Sequence, residues 1–106
     1  MKLATFKELR KHFDTDEKRF IKDGYYRLRA ADERVYELAY LEAGPCGDTT
    51  VHPQITLEIT NDAVVPLKLL DMAAAPVVRF SREESLEELE QALDSLEARF
   101  LQVLSH

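Results

Sequence analysis

Apolar residues change their period along the chain, and each change marks an element. In the last quarter Leu86, Leu89, Leu93, Leu96, Phe100 and Val103 recur at spacings of three and four. That is the helical repeat, so all six share one stripe, which must be buried against the domain's own sheet or against another chain. Ser81 followed by Glu84 supplies the start signal of this long helix. Near the other end, Thr5 and Glu8 have the same capping-box spacing, and Phe6, Leu9 and Phe13 predict a short helix with an aromatic face. Asp14-Thr15-Asp16 interrupts it. Glu17 to Ile21 is expected to form one more helical turn, presenting Phe20 and Ile21 and stopped by Gly24.

From Tyr25 the period becomes two. Tyr26, Leu28 and Ala30 alternate with Arg27 and Arg29, a turn is expected at Ala31-Asp32-Glu33, and Val35 to Glu42 carries Tyr36, Leu38 and Tyr40 on one side. This predicts a hairpin. Ala43 to Pro53 contains Gly44-Pro45 and Gly47-Asp48 and is expected to be a loop. In Gln54 to Thr60, Ile55, Leu57 and Ile59 alternate with Thr56, Glu58 and Thr60. Asn61-Asp62, both tolerant of positive φ, makes a turn, and Val64 to Leu70 returns as the partner strand. Pro66 places that strand at an edge or at a bulge. Met72 to Pro76 is a small-residue connector, and Val77 to Phe80 adds a short strand.

The expected fold is therefore α+β, a single domain over residues 1–106. An antiparallel sheet of four or five strands, built from two hairpins, has the short N-terminal helix and the long amphipathic C-terminal helix packed on one face. The Tyr/Leu and Ile/Leu strand faces would meet Phe6, Phe13 and the leucine stripe. A coiled-coil seam is the other use of that stripe. Ala92, Leu101 and Leu104 widen it beyond a narrow seam, and only some of its flanking positions are charged, which favours packing on a sheet.

Composition narrows the function. A chain of 106 residues buries enough surface to fold without a staple. No apolar run approaches the roughly 18 residues of a membrane span, and the charged start has no secretory signal, so a cytoplasmic protein with no membrane partner is expected. Cys46 is the single cysteine, which excludes an internal disulfide and a multi-cysteine zinc cluster within one chain. The net charge of −6 is uneven: residues 1–35 hold 10 Lys/Arg against 7 Asp/Glu, and residues 36–106 hold 4 against 13. Like charge repels phosphate backbones and argues against general nucleic-acid binding.

Candidate chemistry is sparse. Cys46, Asp48 and His52 lie within seven residues, and a thiolate with an imidazole is the raw material of a nucleophile or a metal site. A triad also needs an orienting group supplied across the fold, so a plain turn is the simpler reading of the same residues. His12 and the terminal His106 read as solvated. Glu83, Glu84, Glu87, Glu88 and Glu90 crowd the start of the long helix, where they complement its dipole; with Asp94 and Glu97 they also form an acidic surface for a basic partner. Arg27 and Arg29 share a strand face with Tyr25, an arrangement able to hold single-stranded nucleic acid, although alternating Arg is ordinary on a polar sheet face. No cofactor or metal is implied.

Tyr26-x-Leu28, Tyr36-x-Leu38 and the run His52-Pro53-Gln54-Ile55-Thr56-Leu57-Glu58-Ile59-Thr60-Asn61-Asp62-Ala63 resemble the YqiB-like family of bacterial proteins of unknown function. The resemblance implies an N-terminal helix, a hairpin, a proline-led strand ending in Asp-Ala and a bacterial cytoplasmic setting. It implies no activity. The leading expectation is a non-enzymatic interaction domain, an adaptor, small chaperone or regulator. It would bind a protein partner or a second copy of itself through a sheet edge, the acidic Glu84, Glu87 and Glu88, or the apolar Phe100, Val103 and Leu104. The alternative is a small enzyme or ligand-binding domain using the Cys46, Asp48 and His52 loop; a secretion-chaperone-like dimer fits by analogy.

Overall fold

The computed structural model describes residues 1–105. It is an α+β fold of order α1 (Leu3–His12), β1 (Arg19–Ile21), β2 (Gly24–Asp32), β3 (Val35–Ala43), β4 (Thr49–Ile59), β5 (Val64–Asp71), β6 (Val78–Ser81) and α2 (Arg82–Leu104). The strands form one antiparallel meander in chain order, β1 to β6, with each strand paired to its sequence neighbours. Six strands stand where four or five were expected.

The extra strand is β1. Phe20 and Ile21, read above as a helical turn, pair with Tyr25 and Gly24, because an aromatic and a β-branched residue suit a pleated surface better than a lone helical turn. The chain reverses through Lys22 at φ 63° and Asp23. Gly24 is therefore strand rather than stop. A Cβ placed on it would lie 2.4 Å from the Tyr40 hydroxyl, so its glycine makes room for a tyrosine.

β4 also begins earlier than the pattern suggested. Thr49, Thr50 and Val51 pair with Ala43, Glu42 and Leu41, which reduces the expected Ala43–Pro53 loop to a turn over residues 44–48. His52 and Pro53 fall where the register shifts between Ala39 and Leu41; a bulge accommodates the missing proline N–H. Pro66 is treated the same way. β5 is an interior strand, and Leu67 is the extra residue between the pairs Thr56–Lys68 and Leu57–Pro66. The first hairpin turns at Glu33-Arg34, one or two residues later than expected, with Arg34 at φ 61°. The second turns at Asn61-Asp62 as expected but without positive φ there. It is held instead by Ala63 N–H donating to Thr60 Oγ1 (3.0 Å).

α1 starts at Leu3, behind Lys2, so Thr5 and Glu8 are helix interior and not a cap. α2 does start at Ser81, whose N–H and hydroxyl both donate to the Glu84 carboxylate (3.2 and 3.0 Å). Ser85 then leaves helical geometry (φ −156°, ψ 68°). Its hydroxyl donates to Glu88 (3.1 Å), repeating the Ser-x-x-Glu pattern as the regular helix begins. Leu89, Leu93, Leu96, Phe100 and Val103 are buried, whereas Leu86 stays exposed on the first turn past this break.

Both helices cover one face of the sheet. Phe6, Leu9 and Phe13 of α1 and the α2 stripe pack with Tyr26, Leu28, Leu38, Tyr40, Ile55, Leu57, Val64 and Leu69 in one cluster. Edge-to-face aromatic pairs link its parts: Phe13–Phe100 at 5.2 Å joins the helices, and Tyr26–Phe100 at 5.1 Å joins α2 to β2. Arg10 closes the end of α1, its Nη1 donating to the carbonyls of Phe13 (3.0 Å) and Leu28 (2.9 Å). No helix among the described residues is long and apolar enough to cross a membrane.

Candidate functional site

The alternative centre of Cys46, Asp48 and His52 is not brought together by the fold, and the plain turn that was the simpler reading is present over residues 44–48. Cys46 is exposed in the β3–β4 turn. Asp48 folds back over Gly44, whose N–H donates to its carbonyl (2.8 Å), and a Cβ on Gly44 would lie 2.1 Å from Asp48 Oδ1. Asp48 thus shapes its own turn. His52, on the β4 bulge, turns to β5: Nδ1 lies 2.7 and 2.9 Å from the two carboxylate oxygens of Asp71, and Nε2 lies 3.9 Å from Glu42. Among the described residues no hydrogen bond joins any two of Cys46, Asp48 and His52, and no group of three His, Cys, Asp or Glu is placed to hold a metal ion. His12 is exposed and faces Glu8 at 3.5 Å. His106 lies outside the described residues.

Asp71, which no sequence motif marks, fastens this end of the sheet. Its Oδ1 also accepts the N–H groups of Ala73 (3.1 Å) and Ala74 (3.3 Å), and Met72 N–H donates to the Val51 carbonyl (3.0 Å). The β5–β6 connection is thereby fastened to the β4 bulge. Beyond it the apolar side chains face solvent: Met72 is 54%, Val77 49% and Val78 39% exposed. Met72 and Val77 precede β6 and Val78 opens it, and β6 forms one open edge of the sheet.

Beside this edge a groove of about 460 Å³ runs between the sheet and the flank of α2. Pro53, Leu69, Val78 and Phe80 form its sheet wall, and Glu88 and Arg99 stand at positions on its helix wall. Arg99 is firmly seated: its guanidinium lies 3.7 Å from the centre of the Tyr40 ring and 3.6 Å from Asp23 Oδ2. Burial pushes the Tyr40 phenol above its ordinary pKa against the opposing pull of Arg99. Glu84, Glu87 and Glu88 are exposed at the start of α2, directly after β6. Phe100 and Val103, expected among the interaction residues, are instead buried in the chain's own core, and Leu104 is half-buried against it. Their period put them on the same stripe as Leu93, and the sheet takes up that stripe.

Among the described residues no helix covers the opposite face of the sheet. Arg27 and Arg29 lie on it with Tyr25, and the register adds Lys68 of β5 and Arg79 of β6. Alternation along β5 and β6 marks the polar face, but only the six-strand register shows that residues so far apart in the chain share it. Comparison of the chain with models of known families, with curated proteins and with solved structures finds no match.

Proposed function

We propose that this chain is a non-enzymatic protein-interaction domain, an adaptor, small chaperone or regulator, that takes an extended segment of a partner protein along β6. The observation that supports the reading is the exposure of Met72, Val77 and Val78 at an open strand edge beside an apolar groove. An edge strand offers unpaired backbone groups to a further strand, and a neighbouring groove can take its alternate side chains. Natural edges are blunted by charge, and here the edge is apolar where it leaves β5.

Charge selects the partner. α2 opens immediately after β6 with Glu83, Glu84, Glu87 and Glu88 exposed, so a segment that alternates apolar residues with Lys or Arg complements this end. A second copy would bring the same carboxylates against them, which disfavours edge-to-edge self-pairing. Affiliation with the YqiB-like family is compatible with this reading, since it implies no activity.

Selection from a random displayed 12-residue peptide library, followed by anisotropy titration of the enriched peptides, tests the proposal. The expected result is peptides alternating apolar and basic residues, whose binding is lost in V77D/V78D. Both positions are exposed, so the fold is retained, which circular dichroism checks. Enrichment of nothing, or binding indifferent to V77D/V78D, would overturn it. A stable dimer by light scattering would replace the partner with a second copy.

A further inference from the structure

Two rows of side chains cross the open face. Arg27, Ala39, Gln54, Leu70 and Arg79 are successive partners from β2 to β6. In the adjacent row Arg29, Glu37, Thr56, Lys68 and Ser81 are likewise successive partners. A cavity of about 280 Å³ opens toward the β6 side, lined by Glu37, Gln54, Thr56, Lys68, Leu70 and Arg79.

These rows hold four cations and one carboxylate, in a chain with 20 Asp/Glu against 14 Lys/Arg. Glu37 is occupied at the β2 side, paired with Arg29 Nε and approached by Gln54 Nε2 at 3.4 Å. Arg27, Lys68 and Arg79 form no ion pair among the described residues. Arg27 Nη2 donates to Gln54 Oε1 (2.7 Å), but its Nε is buried without an acceptor. Burial first, and the neighbouring Arg29 second, push the Arg27 pKa down against the pull of Glu37. A part-buried cation beside a second cation costs free energy, and Gln54 and the more distant Glu37 offset that cost only in part, since Arg27 Nε keeps no acceptor.

We propose that this cavity binds the oxyanion of a small phosphate- or carboxylate-bearing ligand. Lys68 and Arg79 supply the charge at its mouth, Arg27 adds its field through Gln54, and Gln54 and Thr56 form the polar floor. Arg presents a planar fork that matches either anion, and Lys adds a point charge. The volume of about 280 Å³ falls just below the range of ligand pockets, about 300–1,000 Å³, and so suits a small anion or one end of a larger ligand. The flanking rows confine the site. On one side stand Tyr25, Leu41 and Val51, and on the other Asp32 and Glu58, so a polyanion tracking along the strands would run into carboxylates. This inference does not rest on the β6 reading: it uses the other face of the sheet, and its charged residues are not among those that reading invokes.

The test is an NMR titration of the ¹⁵N-labelled chain with sodium phosphate and, separately, sodium succinate, each against sodium chloride at matched ionic strength. Saturable shifts are expected at the Arg27 and Arg79 side-chain Nε–H groups and at β4–β6 amides, with Kd of about 1 mM or tighter. Lys68→Gln and Arg79→Gln, both at exposed positions, should each weaken binding about tenfold. Arg34→Gln, away from the cavity, should leave it unchanged. Tighter binding of phosphate than of succinate assigns the ligand to phosphate esters, and the reverse assigns it to carboxylates. Shifts that match chloride, or that survive both variants, overturn the proposal. So does preferential binding of a single-stranded oligonucleotide centred on Phe20 and Tyr25.

Discussion

The two faces of the sheet are built from the same strands, alternate residue by alternate residue, and they put charge to opposite uses. On the covered face Arg10 is spent on the carbonyls of Phe13 and Leu28, and Arg99 is spent on Tyr40 and Asp23. On the open face Arg27, Lys68 and Arg79 form no ion pair among the described residues. A cation that seals a helix end or covers an aromatic ring contributes to folding. A cation among other cations does not, and the anion site proposed above gives it a use. The comparison predicts that substitutions on the covered face cost stability, whereas those on the open face cost binding.

The largest effect belongs to the covered face. Leu93 is buried in the middle of the α2 stripe, and Leu93→Asp should leave the chain unfolded at 25 °C, because an unpaired buried carboxylate exceeds a small domain's margin of about 5–15 kcal/mol once the lost packing is added. Loss of the amide dispersion in an NMR spectrum reads it out. Phe100→Ala removes the ring that both Phe13 and Tyr26 meet edge-on. A cost of about 3–5 kcal/mol is expected in a urea titration. A fully folded, stable Leu93→Asp chain would break the comparison at its root.

Gly24→Ala comes next, at about 1–3 kcal/mol, because the added methyl meets the Tyr40 ring. That ring cannot simply swing aside, since Tyr26 lies 5.2 Å from it and Arg99 covers it. In a Tyr40→Leu background the penalty should shrink, which a double-mutant cycle measures. Gly24 shows how part of the fold was hidden. A glycine after a charged pair looks like a helix stop, and only the packing of a residue sixteen positions away reveals it as a strand position.

Much else was legible from local pattern alone. Both helices and both hairpins follow from period, and the Ser81–Glu84 start follows from capping, whereas the Thr5–Glu8 spacing misplaced the start of α1. What was missed depended on contacts between distant residues. β1 has three residues and exists because β2 is there to pair with it. Thr49 to Pro53 looked irregular because Gly47 and Pro53 bracket it, and the bulge that absorbs the proline needs β3 as its ruler. The candidate sites divide in the same way. The apolar Met72–Val78 stretch was visible in the sequence, whereas Asp71 with His52, and Lys68 and Arg79 with Arg27, meet only through register.

Tyr40 sharpens the comparison through pH. Its folded pKa is raised above the ordinary 10, chiefly by burial, so the fold favours the neutral phenol. The associated stability is fully present below about pH 10 and is lost as the pH rises past it, because the unfolded chain then releases a proton that the folded chain retains. Tyr40→Phe should flatten the alkaline limb of a stability-versus-pH curve. An unchanged limb would show that the phenolate is well solvated, and that Arg99 rather than burial governs this ring.

The smallest effect belongs to the open face. Arg79 is exposed and forms no ion pair among the described residues, so Arg79→Gln should change stability by no more than about 0.5 kcal/mol. Its sign is informative. If Arg79 stands in an unbalanced positive field with Lys68 and Arg27, the substitution is slightly stabilising at low salt. The difference should vanish near 1 M, where the screening length falls to about 3 Å. The same denaturation series repeated in phosphate should reverse the order, with the parent chain gaining stability and the variant gaining less, because a ligand that binds only the folded state stabilises it. A variant that is clearly less stable at low salt without any added anion would mean that Arg79 already has its counter-charge within the chain. The two faces would then differ in what covers them and not in how their charges are used.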